Sequence, residues 1–352
     1  MTIKEIAKLA NVSLGTVDRV LHKRGRVAKK TEDKILKIIE QVNYKPNIYA
    51  RGLVLNKTYT IIALLPFYEE GDYWELPAKG IHSAGDHLAQ YGIALVICYF
   101  DQNSATSFKE QAAKVLSLKP DGVVLAPVIN FEAVKFAIQL SQHHIPFTLI
   151  DSDIAHVNAL SFIGQNAFQS GYLAAKLLCS SFKTPGTILI VTIKNNENHN
   201  KTLQLRTEGF KDYLLKSSII TEVSIEEFNV YQSGDLWKSE LKSICNDKDS
   251  NIRGIYVPSS KVHYVAACLE AHNKFETVLV GNDLIAQNIP YVAEGVIDYV
   301  IGQRPETQGF YALDFLYRHL IIQQDIERTK YLPLDIITKE NLQYYFDEIS
   351  QD

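Results

Sequence analysis

The sequence predicts a small all-α head followed by a two-lobed α/β body in which helices cover parallel sheets. The chain of 352 residues is too long for one compact core, because a domain holds roughly 100–200 residues. Apolar residues recur at helical spacing through residues 1–45. From residue 60 onwards, short continuous apolar runs alternate with helical stretches, which is typical of strands buried on both faces of a parallel sheet.

The charge of the chain is divided unevenly between these two parts. Residues 1–60 hold 13 Lys and Arg against 5 Asp and Glu, a net charge of +8, and the remainder holds 23 against 35, a net charge of −12. A small basic head on a larger acidic body favours a polyanion as the partner of the head. Charge alone leaves open an alternative, a lysine-rich pair of helices that only faces solvent.

Composition also argues against several classes of protein. No apolar run approaches the roughly 20 residues of a membrane span, and the start MTIKEIAKLA lacks an apolar signal region. We therefore expect a cytoplasmic protein with no membrane partner. The four cysteines are far apart, and no Cys or His pattern has metal-ligand spacing. Buried free thiols, no metal site and no cofactor are the expectation.

The head is predicted to contain three helices. Thr2 and Glu5 form a capping box before the first, and Ser13 is a good N-cap for the second. Thr31 is the expected cap of the third. The second helix is short, follows a tight turn and has a polar outer face. This order is the helix-turn-helix arrangement, whose second helix enters the major groove of DNA.

The second helix carries side chains suited to DNA. Gly15 would let the helix approach the duplex closely, and Thr16 is placed to meet a phosphate. The planar guanidinium of Arg19, one turn further on, suits O6 and N7 of guanine. Because Asp18 would repel phosphate, we expect it to orient Arg19 or a loop cation, or to accept from a cytosine amine. An ordinary surface helix with a solvated ion pair is the alternative.

Residues 2–53 resemble the N-terminal domain of the LacI/GalR family of transcription factors. The pattern VS..TV.RVL and the exit NYKPN carry this resemblance. In this family the first two exposed positions of the recognition helix, here Leu14 and Gly15, help to choose the operator. Residues 47–54 match the hinge helix, which orders on the operator and inserts Leu53 between base steps.

From the residues and this resemblance together, we predict one set of DNA contacts. It comprises Thr2, Ser13, Leu14, Gly15, Thr16, Asp18, Arg19, His22, Lys23, Arg26, Asn47, Ala50 and Leu53.

The apolar runs of the body form two series, which predict two lobes. The runs are TIIALLP, IALVICYF, DGVVLAP and IPFTLID in the first series, and GTILIVTI, RGIYVP, TVLVG and DYVIGQ in the second. In open parallel sheets, ligands bind outside the carboxyl ends of the strands. Carboxylates and amides at these ends could hold hydroxyl groups, and Tyr73 with Trp74 could stack on a sugar ring.

Residues 60–338 resemble periplasmic sugar-binding proteins of the ribose/galactose type, which also form the effector domain of the LacI/GalR family. The resemblance matches the aromatic pair, the aspartate that ends IPFTLID, the arginine of RTEGF, the aspartate after VLVG and the glutamine of IGQ. With the strand-end residues, the predicted effector-binding set is Tyr73, Trp74, Asp101, Asp151, Arg206, Ser259, Asp283 and Gln303.

The expected domain division follows. It comprises a head at 1–45, a hinge helix and linker at 46–59 and an effector and dimerisation domain at 60–352, whose lobes are 60–163 with 304–332 and 164–303 with 333–345.

The prediction for function is a homodimeric transcription regulator, by default a repressor, that binds a palindromic operator under the control of a sugar or sugar-acid effector. One alternative is a sugar-binding protein for transport, which would need a secretion signal. An enzyme is the other, but no G-x-G-x-x-G, P-loop or G-x-S-x-G motif occurs. Asp151 and Asp283 could suggest glycosidase chemistry. We expect ligand-holding aspartates instead, and no catalytic residues.

Overall fold

A computed structural model describes residues 3–21, 25, 27–42, 57–181, 186–194, 200–217, 223–232, 236–246, 251–272 and 276–345. The chain divides into two compact units, Met1–Asn56 and Lys57–Asp352. Seven predicted DNA contacts lie outside the described residues: Thr2, His22, Lys23, Arg26, Asn47, Ala50 and Leu53.

The described part of the first unit contains three helices, namely α1 (Ile3–Ala10), α2 (Leu14–Leu21) and α3 (Lys29–Gln41). Ile6, Val17 and Ile35, one from each helix, are fully buried and form the centre of its core. Asn11 adopts a left-handed conformation with φ of 55°, which ends α1 and begins the tight turn. Lys34 on α3 donates to the carbonyl of Ala10 at 2.9 Å and so ties α3 to that turn.

The start of each helix depends on local hydrogen bonds. The Ser13 hydroxyl accepts from the Thr16 amide at 3.2 Å, as expected of an N-cap for α2. The prediction that Thr31 caps α3 is wrong. The N-cap position lies three residues earlier, at Ala28, and the Thr31 amide donates to the Ala28 carbonyl at 2.8 Å. Backbone bonding alone therefore starts α3.

The second unit is built on two six-stranded sheets. The strands are β1 (Tyr59–Pro66), β2 (Ile93–Phe100), β3 (Gly122–Leu125), β4 (Phe147–Ile150), β5 (Ser161–Gly164), β6 (Gly186–Lys194), β7 (Val223–Tyr231), β8 (Ile252–Tyr256), β9 (Val278–Asn282), β10 (Tyr299–Gly302), β11 (Thr329–Tyr331) and β12 (Asp335–Ile337). The described helices are α4 (Glu75–Ala89), α5 (Ala105–Ser117), α6 (Asn130–Gln142), α7 (Ala167–Ser181), α8 (Lys201–Lys216), α9 (Leu236–Asn246), α10 (Val262–Ala271), α11 (Ile289–Glu294) and α12 (Pro305–Tyr317), which continues into a π-helical segment at Arg318–Ile322.

The first sheet has the order β11-β5-β4-β3-β1-β2, and all of its strands are parallel. The second has the order β12-β10-β9-β8-β6-β7, in which only β12 is antiparallel to its neighbour. The chain passes between the sheets after β5, after β10 and after β11. Each sheet with its helices is called a lobe below, and the predicted fold class is confirmed.

Both faces of the sheets are covered, as the continuous apolar runs require. In β1, Ile61 and Ala63 pack under α4 and α12, whereas Ile62 and Leu64 pack under α5 and α6. The second sheet alternates in the same way along β6. Cys98, Cys179 and Cys268 are buried free thiols, as predicted. No helix in the described part of the chain is long and apolar enough to cross a membrane.

In the first lobe, α4 and α12 cross with their backbones in contact. A Cβ atom added at Gly80 would lie 1.9 Å from the carbonyl oxygen of Glu306, and one added at Gly309 would lie 2.1 Å from that of Pro77. Any side chain at either position would collide with backbone, so glycine is required for this close approach.

The second lobe repeats this crossing between α7 and α8. A Cβ atom at Gly171 would lie 1.7 Å from the carbonyl oxygen of Arg206, and one at Gly209 would lie 1.9 Å from that of Phe168. Arg206 therefore stands at the point where the two helices touch, and its backbone position is set by the crossing.

Candidate functional site

A cavity of about 300 Å³ lies where the carboxyl ends of the strands of both lobes meet. Seven of the eight predicted effector-binding residues line it, namely Tyr73, Trp74, Asp151, Arg206, Ser259, Asp283 and Gln303. The three passages of the chain between the sheets bring these residues together from positions up to 230 apart in sequence. Such an edge of parallel sheets is where small-molecule ligands are bound in α/β proteins.

Two aspartates form the floor of the cavity, of which Asp283 is buried and Asp151 is half-buried. Asp151 follows β4 and Asp283 follows β9, and both adopt left-handed backbone conformations with φ of 66° and 67°. Non-glycine residues rarely occupy this region, and such strain concentrates at ligand-binding sites. The Tyr73 hydroxyl donates to Asp151 Oδ1 at 2.9 Å, and Gln303 Nε2 donates to Asp283 Oδ1 at 2.8 Å. Protein donors thus hold one oxygen of each carboxylate.

Arg206 is the cation beside this floor, and its side chain is almost fully buried. Its Nη1 donates to the carbonyl of Pro258 at 2.8 Å and lies 3.8 Å from Asp283 Oδ2. With its amide oriented toward Arg206, Gln165 accepts from Nε at 3.1 Å and from Nη2. Because its donors meet carbonyl oxygens of the protein, Arg206 is held rigidly at the helix crossing.

Burial changes the ionisation of the floor. It raises the pKa of Asp283 to about 6, against the opposing effect of Arg206, and the nearby Asp151 raises it further. Burial also raises the pKa of Asp151, again opposed by Arg206 and by the hydrogen bond from Tyr73. The pKa of Tyr73 itself is raised by burial and by Asp151. Ligand hydroxyl groups that donate to these carboxylates would compensate for the lost hydration.

Gln308 connects the floor to α12, although nothing in its local sequence pattern indicated a site. Its Oε1 accepts from the Asp151 amide at 3.0 Å, and its Nε2 donates to the Gln303 carbonyl at 3.0 Å. Gln308 is fully buried one residue before Gly309, in the crossing of α12 with α4. The first lobe therefore fixes the backbone of Asp151 through the same helix pair that shapes its core.

Asp101 does not line the cavity, so its prediction as an effector contact is not supported. Its exposed carboxylate accepts from the Asn103 amide at 2.8 Å, and its own amide donates to the Ser107 hydroxyl at 3.0 Å. Both bonds belong to the turn that leads into α5. The neighbours Gln102 and Asn103 reach the cavity instead, because the chain turns immediately after β2.

The sequence prediction missed part of the wall of the cavity. Lys194, Lys261 and His263 line it together with Ser260 and the predicted Ser259. Burial lowers the pKa of Lys261 to about 8, and burial also lowers the pKa of His263. The available signal for Ser260 and Lys261 was their position in PSSK, since Ser259 of the same segment was predicted as a contact.

The predicted DNA contacts that the structure describes lie on α2 and at its N-cap. Ser13, Leu14, Gly15 and Arg19 are exposed, whereas Asp18 and Thr16 are half-buried, the latter against the Ser13 hydroxyl. A Cβ atom at Gly15 would meet only Ser13 Oγ, at 3.9 Å. Packing within the head therefore does not require glycine at this position, which leaves close approach to a partner as a reason for it.

Among the described residues, no three His, Cys, Asp or Glu side chains are arranged to hold a metal ion. The cavity offers carboxylates, amides, hydroxyls and ammonium groups as ligand contacts.

A basic three-helix head and a two-lobed body with a polar cleft define a binding protein of modular type, and comparison with known proteins identifies its family. Residues 62–324 match the periplasmic binding protein domain, and residues 2–47 match the bacterial regulatory proteins of the lacI family. A crystal structure from Bacteroides fragilis, described as a "putative LacI transcriptional regulator", is 31% identical, with a TM-score of 0.77 over 82% of this chain and 100% of that one. The chain belongs to the lacI family of bacterial regulatory proteins.

Two transcription regulators also resemble this chain in sequence, and a sugar-binding protein shares its fold. The HTH-type transcriptional repressor PurR of Haemophilus influenzae (strain PittEE) is 31% identical over 211 residues, which cover 60% of this chain and 59% of the relative. The regulator DegA of Bacillus subtilis (strain 168) is 29% identical over 225 residues, or 64% of each chain. GanP, a glucose-galactose binding protein from Geobacillus stearothermophilus, shares the fold at 20% identity, with a TM-score of 0.70 over 82% of this chain and 99% of that one.

Proposed function

We propose that the protein is a transcriptional repressor that binds a palindromic operator as a homodimer and is controlled by a sugar or sugar-like effector. It acts in the cytoplasm, on DNA. The observation that carries this proposal is the pairing of two features in one chain, a lacI-type head and a cleft with buried strand-end carboxylates. Effector binding shifts the body between two states by its differential affinity for them.

The floor of the cavity supports a polyol ligand. Tyr73 donates to one oxygen of Asp151 and Gln303 donates to one oxygen of Asp283. Each carboxylate has about four lone-pair sites, so both can also accept from ligand hydroxyls. The Tyr73 and Trp74 rings lie edge to face, with centroids 5.1 Å apart, and form an aromatic wall against which a sugar ring can pack. No catalytic role is proposed for either aspartate.

The domain division that goes with this function is also a proposal. It places the DNA-binding head at 1–45, the hinge at 46–59, and the effector and dimerisation domain at 60–352, with lobes at 60–163 with 304–332 and 164–303 with 333–345.

A transport role is the weaker alternative. A binding protein that only delivers sugar to a transporter has no use for a helix-turn-helix head, and residues 2–47 match the lacI family in this chain.

The operator part of the proposal is tested with Arg19→Ala. An operator is first selected from a pool of random duplexes, and binding is then measured by fluorescence anisotropy at one fixed salt concentration, because salt alone changes affinity. We expect the variant to bind the selected operator roughly 10- to 100-fold more weakly, since a bidentate arginine–guanine contact contributes about 1–3 kcal/mol. Binding to random DNA should change little.

Lys37→Ala, which removes one exposed cation from α3, is the matched control and should affect both duplexes alike. An equal loss on operator and random DNA in Arg19→Ala would contradict the base-reading role of Arg19.

The effector part is tested with Asp283→Ala. A ligand is first identified as a sugar or sugar derivative that raises the Tm of the full chain, because a ligand that binds only the folded state stabilises it by mass action. We expect Asp283→Ala to bind the operator normally and to lose the ligand response. Asp101→Ala, which lies outside the cavity, should keep it. A full ligand response in Asp283→Ala would show that the site is misplaced.

A further inference from the structure

Charge is distributed unevenly around the cavity. Asp283, which is buried, and Asp151, which is half-buried, form its floor. Lys194 and Lys261 lie in the wall formed by the second lobe, and Asp72 of the first lobe acts on Lys261 from across the cavity. This wall consists of the end of β6 and the segment after β8, and it includes Ser259 and Ser260. A ligand that fills about 300 Å³ therefore meets acceptors at one end and cationic and hydroxyl donors at the other.

Arg206, the third cation of the cavity, is engaged by the protein. It donates to the carbonyl of Pro258 and to the side-chain oxygen of Gln165, and it stands 3.8 Å from Asp283 Oδ2. Its positive charge therefore acts on the two aspartates of the floor. The positive potential of the opposite wall comes from the two lysines.

Gln232 connects the two segments that carry these lysines. Lys261 Nζ donates to the side-chain oxygen of Gln232, a neutral acceptor, and the backbone amide of Gln232 donates to the backbone carbonyl of Lys194 at 2.7 Å. The Lys194 ammonium group lies 5.8 Å from the centroid of the Tyr231 ring. Burial disfavours the charged form of Lys261, as its lowered pKa indicates, and Asp72 of the first lobe opposes that effect. Asp72 itself accepts from the Glu69 amide at 3.1 Å.

A partly buried ammonium group is costly unless an anion compensates for its lost hydration. A phosphate or carboxylate beside Lys261 would form a charge-assisted hydrogen bond with its ammonium group, in addition to the contacts that this group makes within the protein. The neighbouring hydroxyls of Ser259 and Ser260 would add neutral donors to the same anionic oxygens. The wall therefore has the composition expected of a subsite for a small anion.

We propose that the effector is an anionic polyol, a sugar phosphate or a sugar acid, whose hydroxyls bind the Asp151–Asp283 floor and whose anionic group binds Lys261 and Lys194. This inference rests on the proposed function, because it assigns the chemical class of the effector. A cavity of about 300 Å³ lies at the lower end of the range for small-molecule sites, about 300–1,000 Å³, and so favours a single sugar unit.

The first test is a thermal-shift comparison on the full chain. The neutral probes are ribose, glucose, galactose and myo-inositol, and the anionic probes are their monophosphates together with gluconate, glucuronate and galacturonate. We expect at least one anionic probe to raise the Tm at a concentration where its neutral parent does not, with an affinity about tenfold or more higher in calorimetry. Comparison of the monophosphates with the sugar acids shows whether the site prefers a phosphate or a carboxylate.

The second test is Lys261→Gln on the anionic probe that binds. We expect its affinity to fall by about tenfold or more, while affinity for a neutral sugar changes less than twofold. Lys261→Arg should retain part of the affinity because it keeps the charge. Lys109→Gln, which removes an exposed lysine from α5, is the matched control and should change nothing. The Tm without ligand shows that each variant is folded.

Two outcomes overturn the inference in distinguishable ways. If neutral sugars bind as tightly as their anionic derivatives and Lys261→Gln binds like the unmodified protein, the anionic class is wrong and the proposed regulator stands. If no probe of either kind raises the Tm, the sugar-like effector of the proposed function is itself wrong, and this inference falls with it.

Discussion

The two lobes of the body share one plan but present opposite charge to the cleft between them. Each has a six-stranded sheet and one pair of helices whose backbones touch through reciprocal glycines. The first lobe contributes the acids Asp72 and Asp151. The second contributes one acid, Asp283, together with the cations Arg206, Lys194 and Lys261. Apolar runs and glycines thus determine the sheets and helix crossings that both lobes share. The charge of each lobe in the cleft is determined by polar residues at the strand ends, which do not belong to the core.

The largest expected effect tests whether the two helix crossings are equivalent. Gly171→Ala and Gly80→Ala each place a Cβ atom within 2 Å of a backbone carbonyl oxygen, a collision that only a helix shift can relieve. We expect each to lower the free energy of unfolding by about 3 kcal/mol or more. Urea unfolding of the full chain measures this change.

Gly15→Ala is the matched control for these substitutions, because its Cβ would make only an ordinary van der Waals contact, with Ser13 Oγ at 3.9 Å. It should leave the body unchanged and stabilise α2 by no more than about 1 kcal/mol. If Gly171→Ala and Gly80→Ala unfold at the same urea concentration as the unmodified protein, close backbone contact is not what fixes the crossings. A large effect in only one of them would show that the lobes differ in construction as well as in charge.

The next effect concerns Asp283, the acid that meets the arginine of the second lobe. Its pKa is about 6 in the folded protein against 3.8 ordinarily, so above pH 6 the buried charge costs stability, and this cost disappears as pH falls toward 3.8. Asp283→Asn removes the charge. We expect it to raise the free energy of unfolding by about 3 kcal/mol at pH 7.5 and by roughly half as much at pH 5.

Thermal and urea unfolding at the two pH values measure this difference. Asp101→Asn, which changes an exposed acid outside the cavity, should show no such dependence on pH. If Asp283→Asn is less stable at pH 7.5 than at pH 5 relative to the unmodified protein, Arg206 stabilises the carboxylate more than burial destabilises it. The variant should also lose effector binding, because an amide cannot replace both carboxylate acceptors.

The lobes could be predicted because their central strands are continuous apolar runs, which identify a parallel sheet locally. Four strands were missed for a physical reason. β7 is an edge strand whose residues are mostly exposed or half-buried, and β11 and β12 have three residues each. The hydrophobic signal of these three strands is therefore weak or too short. β5 was missed because its four residues, SFIG, include only two large apolar side chains.

The candidate site was predictable to the extent that strand ends were identifiable. Asp151, Asp283 and Gln303 come directly after or within predicted strands, and all line the cavity. Asp101 also directly follows a predicted strand, but its carboxylate accepts from the Asn103 amide within the turn that follows. Gln308 was missed because it reaches the floor from inside a helix.

The amino-acid pattern alone determined that a basic helical head precedes two parallel-sheet lobes, because helical spacing and continuous apolar runs are properties of neighbouring residues. Tertiary structure decided which polar residues meet in the cleft. That choice depends on three passages of the chain between sheets and on helices held at backbone contact. Residues far apart in sequence, such as Tyr73 and Asp151, therefore become hydrogen-bonded partners through geometry that no local segment contains.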